Sequence, residues 1–181
     1  MRTSLHLLAS VALLVPAGAT TLLKMSMDDL ILQSTTIVRA RITGTRTGAV
    51  GNDIYTYYQL QVSETLKKGA IQPAEFAVPG GAYGSFRQIG IGSPVFSEGR
   101  EYVLFLWTGR NGMTQVIGLS QGMFNLTQDA SGATVLNRPA IDEHMLDKSG
   151  NPVTGKPVTM KWSELREMVV KTLQKSGTAK K

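Results

Sequence analysis

A mainly β fold, built as a small antiparallel OB-like (oligonucleotide/oligosaccharide-binding) barrel with a short N-terminal helix and a C-terminal helix, is predicted by three observations. Apolar residues alternate with polar ones in several short runs separated by turn residues. One run, Tyr102 to Trp107, is apolar on both parities, as a strand buried on two faces is. Helical patterning is confined to a stretch near each end, and glycines fall where a strongly curved sheet would bend. No period of 20 to 50 residues repeats, which disfavours a solenoid or propeller.

Residues 1–19 read as a secretory signal. Arg2 gives a positive start, Leu5 to Val15 an apolar core, and Ala17 to Ala19 the small residues of a cleavage site. That core is shorter than the ~20 residues a membrane-crossing helix requires. The expected product is secreted or periplasmic, with no transmembrane span after signal removal.

Residues 20–140 are read as the β-barrel domain. Ser26 before Asp28 and Asp29, with Leu30 and Ile31 beyond, predicts the short first helix. Thr35 to Gly44 alternates, with Val38, Ala40 and Ile42 on one side and Ile37, Arg39, Arg41 and Thr43 on the other. Arg46 to Asp53 carries turn residues. Ile54 to Leu66 resumes the alternation, with Tyr58, Leu60 and Val62 opposed to Tyr55, Tyr57, Gln59 and Gln61, so the two strands make a hairpin.

Ala74 to Gly81 is a short strand that runs into a glycine-rich stretch, Pro79 to Pro94. Arg100 to Gly109 holds the doubly buried strand, and Arg110 to Gly112 is a turn. Met113 to Gln128 follows, with bends at Gly118 and Gly122. Asp129 to Gly132 turns it into the return strand Ala133 to Asn137. Residues 141–160 are expected to be an irregular connection, being rich in Pro, Gly and polar residues. Residues 161–176 form a C-terminal helix that starts at Ser163 and presents Leu165, Met168, Val169 and Leu173 to the barrel.

Composition restricts the chemistry. Cysteine is absent, so neither disulfides nor thiol nucleophiles enter. His144 is the one histidine beyond the signal, and its surroundings lack zinc-ligand spacing. No metal site and no cofactor is expected. A Ser-His-Asp triad would need His144, and no nucleophile elbow is present. The glycine-rich stretch has no lysine, which excludes a P-loop, and Val95 stands where a dinucleotide fingerprint needs its third glycine. No catalytic residue is assigned. Glu64, Glu75 and Glu101 flank strands as solubilising charges do, and a hydrolase using a carboxylate pair is kept as an alternative.

A binding role is therefore the leading expectation. The hairpin's polar side is expected to gather Arg39 and Arg41 with Tyr55 and Tyr57, a combination that stacks on flat ligands or engages acidic groups. Tyr83, Phe86 and Arg87 are the contact-capable side chains of the glycine-rich stretch. The net charge of +6, one less once Arg2 leaves with the signal, favours acidic partners in general. The expected partner is an exported protein or an anionic ligand. Binding of single-stranded nucleic acid or an anionic polymer through a barrel face is the other alternative, and export and the modest charge count against nucleic acid.

The succession "IVRARITG", "IYTYYQLQVSETLKKG", "FAVPGG", "SPVFSEGREYVLFL" and "VIGLSQGMFNL" resembles the pattern of a family of uncharacterised, exported bacterial proteins. Thr56, Lys68, Gly69, Gly80, Gly81, Phe96, Gly99, Phe105, Leu106, Gly122 and Phe124 occupy the matching positions, and "LKKG" carries one residue more than the family's "LKG". The resemblance implies an exported, barrel-like domain with no established activity. A more distant similarity, of fold alone, is to the barrel of tissue metalloproteinase inhibitors. The cysteines that their mechanism needs are missing here, so the mechanism is not implied.

Overall fold

A computed structural model describes residues 21–178. The signal assigned to residues 1–19 lies outside them. Strand makes up 46% and helix 18%, with one helix near each end.

The chain begins with β1 (Leu22–Leu23) and α1 (Met27–Gln33). The helix starts where the sequence places it because Ser26 and Asp29 form a reciprocal capping box: the Asp29 amide donates to Ser26 Oγ and the Ser26 amide to Asp29. Two long strands follow, β2 (Thr36–Val50) and β3 (Asp53–Lys67), joined by the two-residue turn Gly51-Asn52. The hairpin was expected to turn over Arg46 to Asp53. Instead β2 runs on to Val50, because Gly-Asn closes a tight two-residue loop and the strands keep pairing up to it.

After β4 (Glu75–Pro79) the glycine-rich stretch folds into its own small hairpin, β5 (Gly81–Tyr83) and β6 (Phe86–Gln88). Then come β7 (Glu101–Thr108) and β8 (Thr114–Val116). The run Met113 to Gln128 is broken in two by a 3-10 turn, Leu119–Gly122, which Gly118 enters with φ of 64° before β9 (Met123–Gln128). β10 (Thr134–Arg138) returns from a turn capped by Asp129, whose carboxylate accepts from the Ser131 and Ala133 amides.

The irregular connection expected over residues 141–160 contains strand instead: β11 (Met145–Leu146), β12 (Pro152–Val153) and the first part of β13 (Val158–Lys161). β11 pairs in parallel with β1, 123 positions away through Leu22↔Met145, and β13 extends the main sheet beyond β10. Strands this short are fixed by tertiary pairing, which leaves no periodicity to read. Helix α2 (Trp162–Thr178) ends the described chain.

The main sheet has the order β13-β10-β9-β7-β2-β3-β4-β8, and β8 also pairs antiparallel with β7. Two apolar clusters lie on its two sides. The inner one joins Val38, Ala40, Ile42, Tyr58, Leu104 and Phe96, with Leu60 and Val62 at its margin, so the apolar face expected of the first hairpin is the one observed. Four of its rings, Tyr58, Phe76, Phe96 and Tyr102, pack with centroids 4.9–5.5 Å apart in stacked and edge-on contacts. The other cluster, Leu30, Ile37, Phe105, Phe124, Trp162 and Leu165 among others, seats α1 and α2 on the sheet. Alternate residues of β7 feed both clusters, and this explains its apolar character on both parities.

Candidate functional site

Polar contacts and backbone proximity hold the β5–β6 hairpin at its base. The Gly80 amide donates to the Ile54 carbonyl (2.8 Å), and Thr56 Oγ1 donates to the Gly80 carbonyl (2.8 Å). Gln88 Oε1 accepts from the Ile54 amide (2.6 Å). Gly81, at φ of 139°, lies where a β-carbon would stand 2.8 Å from Thr56 Oγ1, so only glycine passes there without displacement. These contacts fall on the Ile54 and Thr56 side of β3. Tyr55 and Tyr57, on alternate positions, belong to the other side.

Beyond this base the segment is apolar and open. Tyr83 is 52% exposed, Phe86 73%, Ile89 81%, Ile91 58% and Val95 81%, and Arg87 is exposed between them. Pro79 and Pro94, the two ends of the stretch, line a cleft of ≈ 400 Å³ with Trp107, Gln115, Val116 and Leu119. Leu119 has φ of 53°, the one left-handed non-glycine backbone among the described residues. Trp107 is itself 45% exposed at this cleft.

The four hairpin residues expected to gather do not do so. Arg39 sits opposite Glu64, Arg41 opposite Gln61, and Tyr57 opposite Arg46, because the late turn carries the tyrosines to the far end of the hairpin, and the register shifts at Arg39/Ala40 and Ile42/Gly44 cancel between them. Arg39 Nη2 donates to Glu101 Oε2 (2.7 Å), and Trp162 of α2 lies 5.9 Å from the guanidinium carbon. The Arg39 hydrogen bond holds the Glu101 carboxyl below its ordinary range, helped by a 2.8 Å bond from Ser63 Oγ. Arg41 is exposed and donates to the Gly99 carbonyl. Tyr55 and Tyr57 lie 6.4 Å apart, centroid to centroid.

Arg46, read from sequence as a turn residue, is the arginine that stacks on a tyrosine. Its guanidinium carbon stands 3.9 Å from the Tyr57 ring centroid, while Nε donates to Glu75 Oε2 at 3.0 Å. The signal that could have found it is the Gly-Asn dipeptide, a two-residue hairpin loop that carries both strands past Arg46.

Glu75 and Glu101 begin their strands, Glu64 lies within β3, and each holds an arginine. Glu75 pairs with Arg46 and Glu101 with Arg39, and Glu64 takes Arg166 at 3.2 Å and the Trp162 indole N–H at 3.3 Å. Among the described residues no three His, Asp or Glu side chains are grouped to hold a metal ion. No helix there is long and apolar enough to cross a membrane. No protein-family model, curated protein or solved structure matches the chain.

Proposed function

We propose that this chain is an exported, non-enzymatic binding module that engages a protein partner through the β5–β6 hairpin and the cleft beside its base. One observation carries the reading. Five of the eleven large apolar side chains exposed among the described residues fall between Tyr83 and Val95. A concentration of this kind on an otherwise polar surface marks an interaction site. The hairpin presents Tyr83 and Phe86 on a base fixed by hydrogen bonds, so little order is lost on contact there, and Ile89, Ile91 and Val95 follow in the segment that leaves it.

Export rests on the signal-like start and on the resemblance to the exported family. The OB-like reading rests on strand pairing: β7, β2, β3, β4 and β8 follow one another, and β8 returns to β7. A second ligand class, single-stranded nucleic acid or another anionic polymer, is favoured by the placement of Arg87 between Phe86 and Gln88 at an aromatic tip.

A photo-crosslinking amino acid at position 86, used in cells and followed by identification of the adduct, tests the proposal. One discrete protein adduct that Tyr83→Ser with Ile89→Ser abolishes, and that Arg41→Ala with Tyr57→Ala leaves intact, is expected. Equal adduct formation by all variants would remove the hairpin from consideration. An adduct with nucleic acid whose yield falls steeply with salt would replace the protein partner by the second class.

A further inference from the structure

Arg138 ends β10, opposite Val158 of β13. Its guanidinium carbon stands 4.9 Å from the Phe124 ring centroid, and Nη1 donates to the Gln121 carbonyl. Nε is buried and has no acceptor. None of the four ion pairs among the described residues includes Arg138. Burial pushes its pKa down, whereas carboxylates push those of Arg39 and Arg46 up. A half-buried guanidinium that belongs to no ion pair keeps an electrostatic preference for an anion placed against its accessible edge.

A cavity of ≈ 240 Å³ adjoins this side chain, walled by the N-terminal segment, α1, β11 and β13. Its lining includes four methionines, Met25, Met27, Met145 and Met160, and the only charged groups in it besides Arg138 are Lys24 and Lys156. No carboxylate contributes to the wall. The cleft that Arg138 lines on another side carries Asp142 and Glu143, which repel an anion there. The lining thus offers positive charge beside a deformable apolar surface, since thioether side chains repack around differing shapes. Its volume is below the ~300–1,000 Å³ of sites for drug-sized ligands, so a short chain fits and a large ring system does not.

We propose that this cavity binds a small aliphatic carboxylate, its charge on the Arg138 guanidinium and its tail among the four methionines. The site is separate from the β5–β6 hairpin and does not depend on what that hairpin contacts.

The test uses the full chain labelled at its methionine methyl groups, titrated by NMR with octanoate, octanol and acetate. Octanoate is expected to shift the methyls of Met25, Met27, Met145 and Met160 in a saturable way; octanol, which lacks the charged hydrogen bond, and acetate, which lacks the apolar tail, are each expected to bind at least ~10-fold more weakly. Arg138→Gln is expected to weaken octanoate by about 10-fold or more. Should that variant fail to fold, the exposed pair Lys24→Gln with Lys156→Gln keeps the question open to measurement, with an expected loss of about two- to fivefold. Octanol binding as tightly as octanoate, four unmoved methyls, or unchanged octanoate affinity in a folded Arg138→Gln variant would each overturn the proposal.

Discussion

Gly90 and Pro79 are in backbone contact: a β-carbon on Gly90 would stand 2.0 Å from the Pro79 carbonyl oxygen. The chain leaves β4 at Pro79 and comes back at Gly90, so this contact closes the base of the β5–β6 hairpin. Gly90→Ala is expected to force the two segments apart and to cost ~1–3 kcal/mol in urea unfolding. Gly84 at the tip, with open space around it and φ of 59°, is expected to lose only about 1 kcal/mol on the same change. Equal losses at the two positions would argue against a closed base.

Lys67 closes the C-terminal end of α1. Its ammonium group donates to the carbonyls of Ile31 (2.7 Å) and Leu32 (3.0 Å) and to that of Ser34. These are the carbonyls a helix end leaves without intrahelical partners. Lys67→Met is expected to destabilise the fold by ~1–3 kcal/mol, because acceptors in a partly buried setting lose their donor. Lys68 is exposed, and Lys68→Met is expected to stay within ~0.5 kcal/mol of the parent. Chemical denaturation of the two variants side by side distinguishes a lysine that caps from one that only solubilises.

Acid sensitivity should trace to Asp29. Hydrogen bonds from Ser26 and Lys148 lower its pKa from 3.8 to about 2. A depressed carboxyl contributes stability that is fully present above the unfolded value of 3.8 and is lost as pH falls through about 2. Asp29→Asn is expected to cost ~0.3–1 kcal/mol at neutral pH, as a helix N-terminal charge does. It should also flatten the stability profile between pH 4 and pH 2. Thermal unfolding of both proteins across that window is the measurement, and parallel profiles would show that the acid limb arises elsewhere.

The pair Arg39–Glu101 is partly shielded, with side-chain exposures of 28% and 20%. A double-mutant cycle with Arg39→Met and Glu101→Gln is expected to give a coupling of about 1 kcal/mol, between the ranges for exposed and for charge-assisted buried pairs. A coupling near zero would mean that Trp162 packing, and not charge, retains the arginine.

The parts of this fold that could be read in advance are those where local pattern and tertiary environment agree. Val38, Ala40 and Ile42 alternate with polar residues over a face that is buried throughout, and Ser26 with Asp29 caps a helix by contacts three residues apart. The candidate site was harder for a physical reason. Period-two reasoning assigns residues to faces but not to positions along a strand. Arg39 and Tyr57 do share a parity argument, yet they are separated along a hairpin of two 15-residue strands whose register shifts at Arg39/Ala40 and Ile42/Gly44. Tyr83, Phe86 and Arg87 were identifiable as contact-capable because they are the large side chains among the glycines of that stretch. Arg138 gave no sequence signal, since its lack of an ion-pair partner is a property of tertiary packing.

The position of β7 has a consequence for how this molecule comes apart. It exchanges hydrogen bonds with β2, β9 and β8, and its side chains are shared between two apolar clusters. Neither cluster can melt while the other keeps that strand in place, so the helices and the curved sheet should unfold as one cooperative unit. The slowest-exchanging amides are then those of Val103 to Leu106, and the free energy of their opening should equal that of global unfolding.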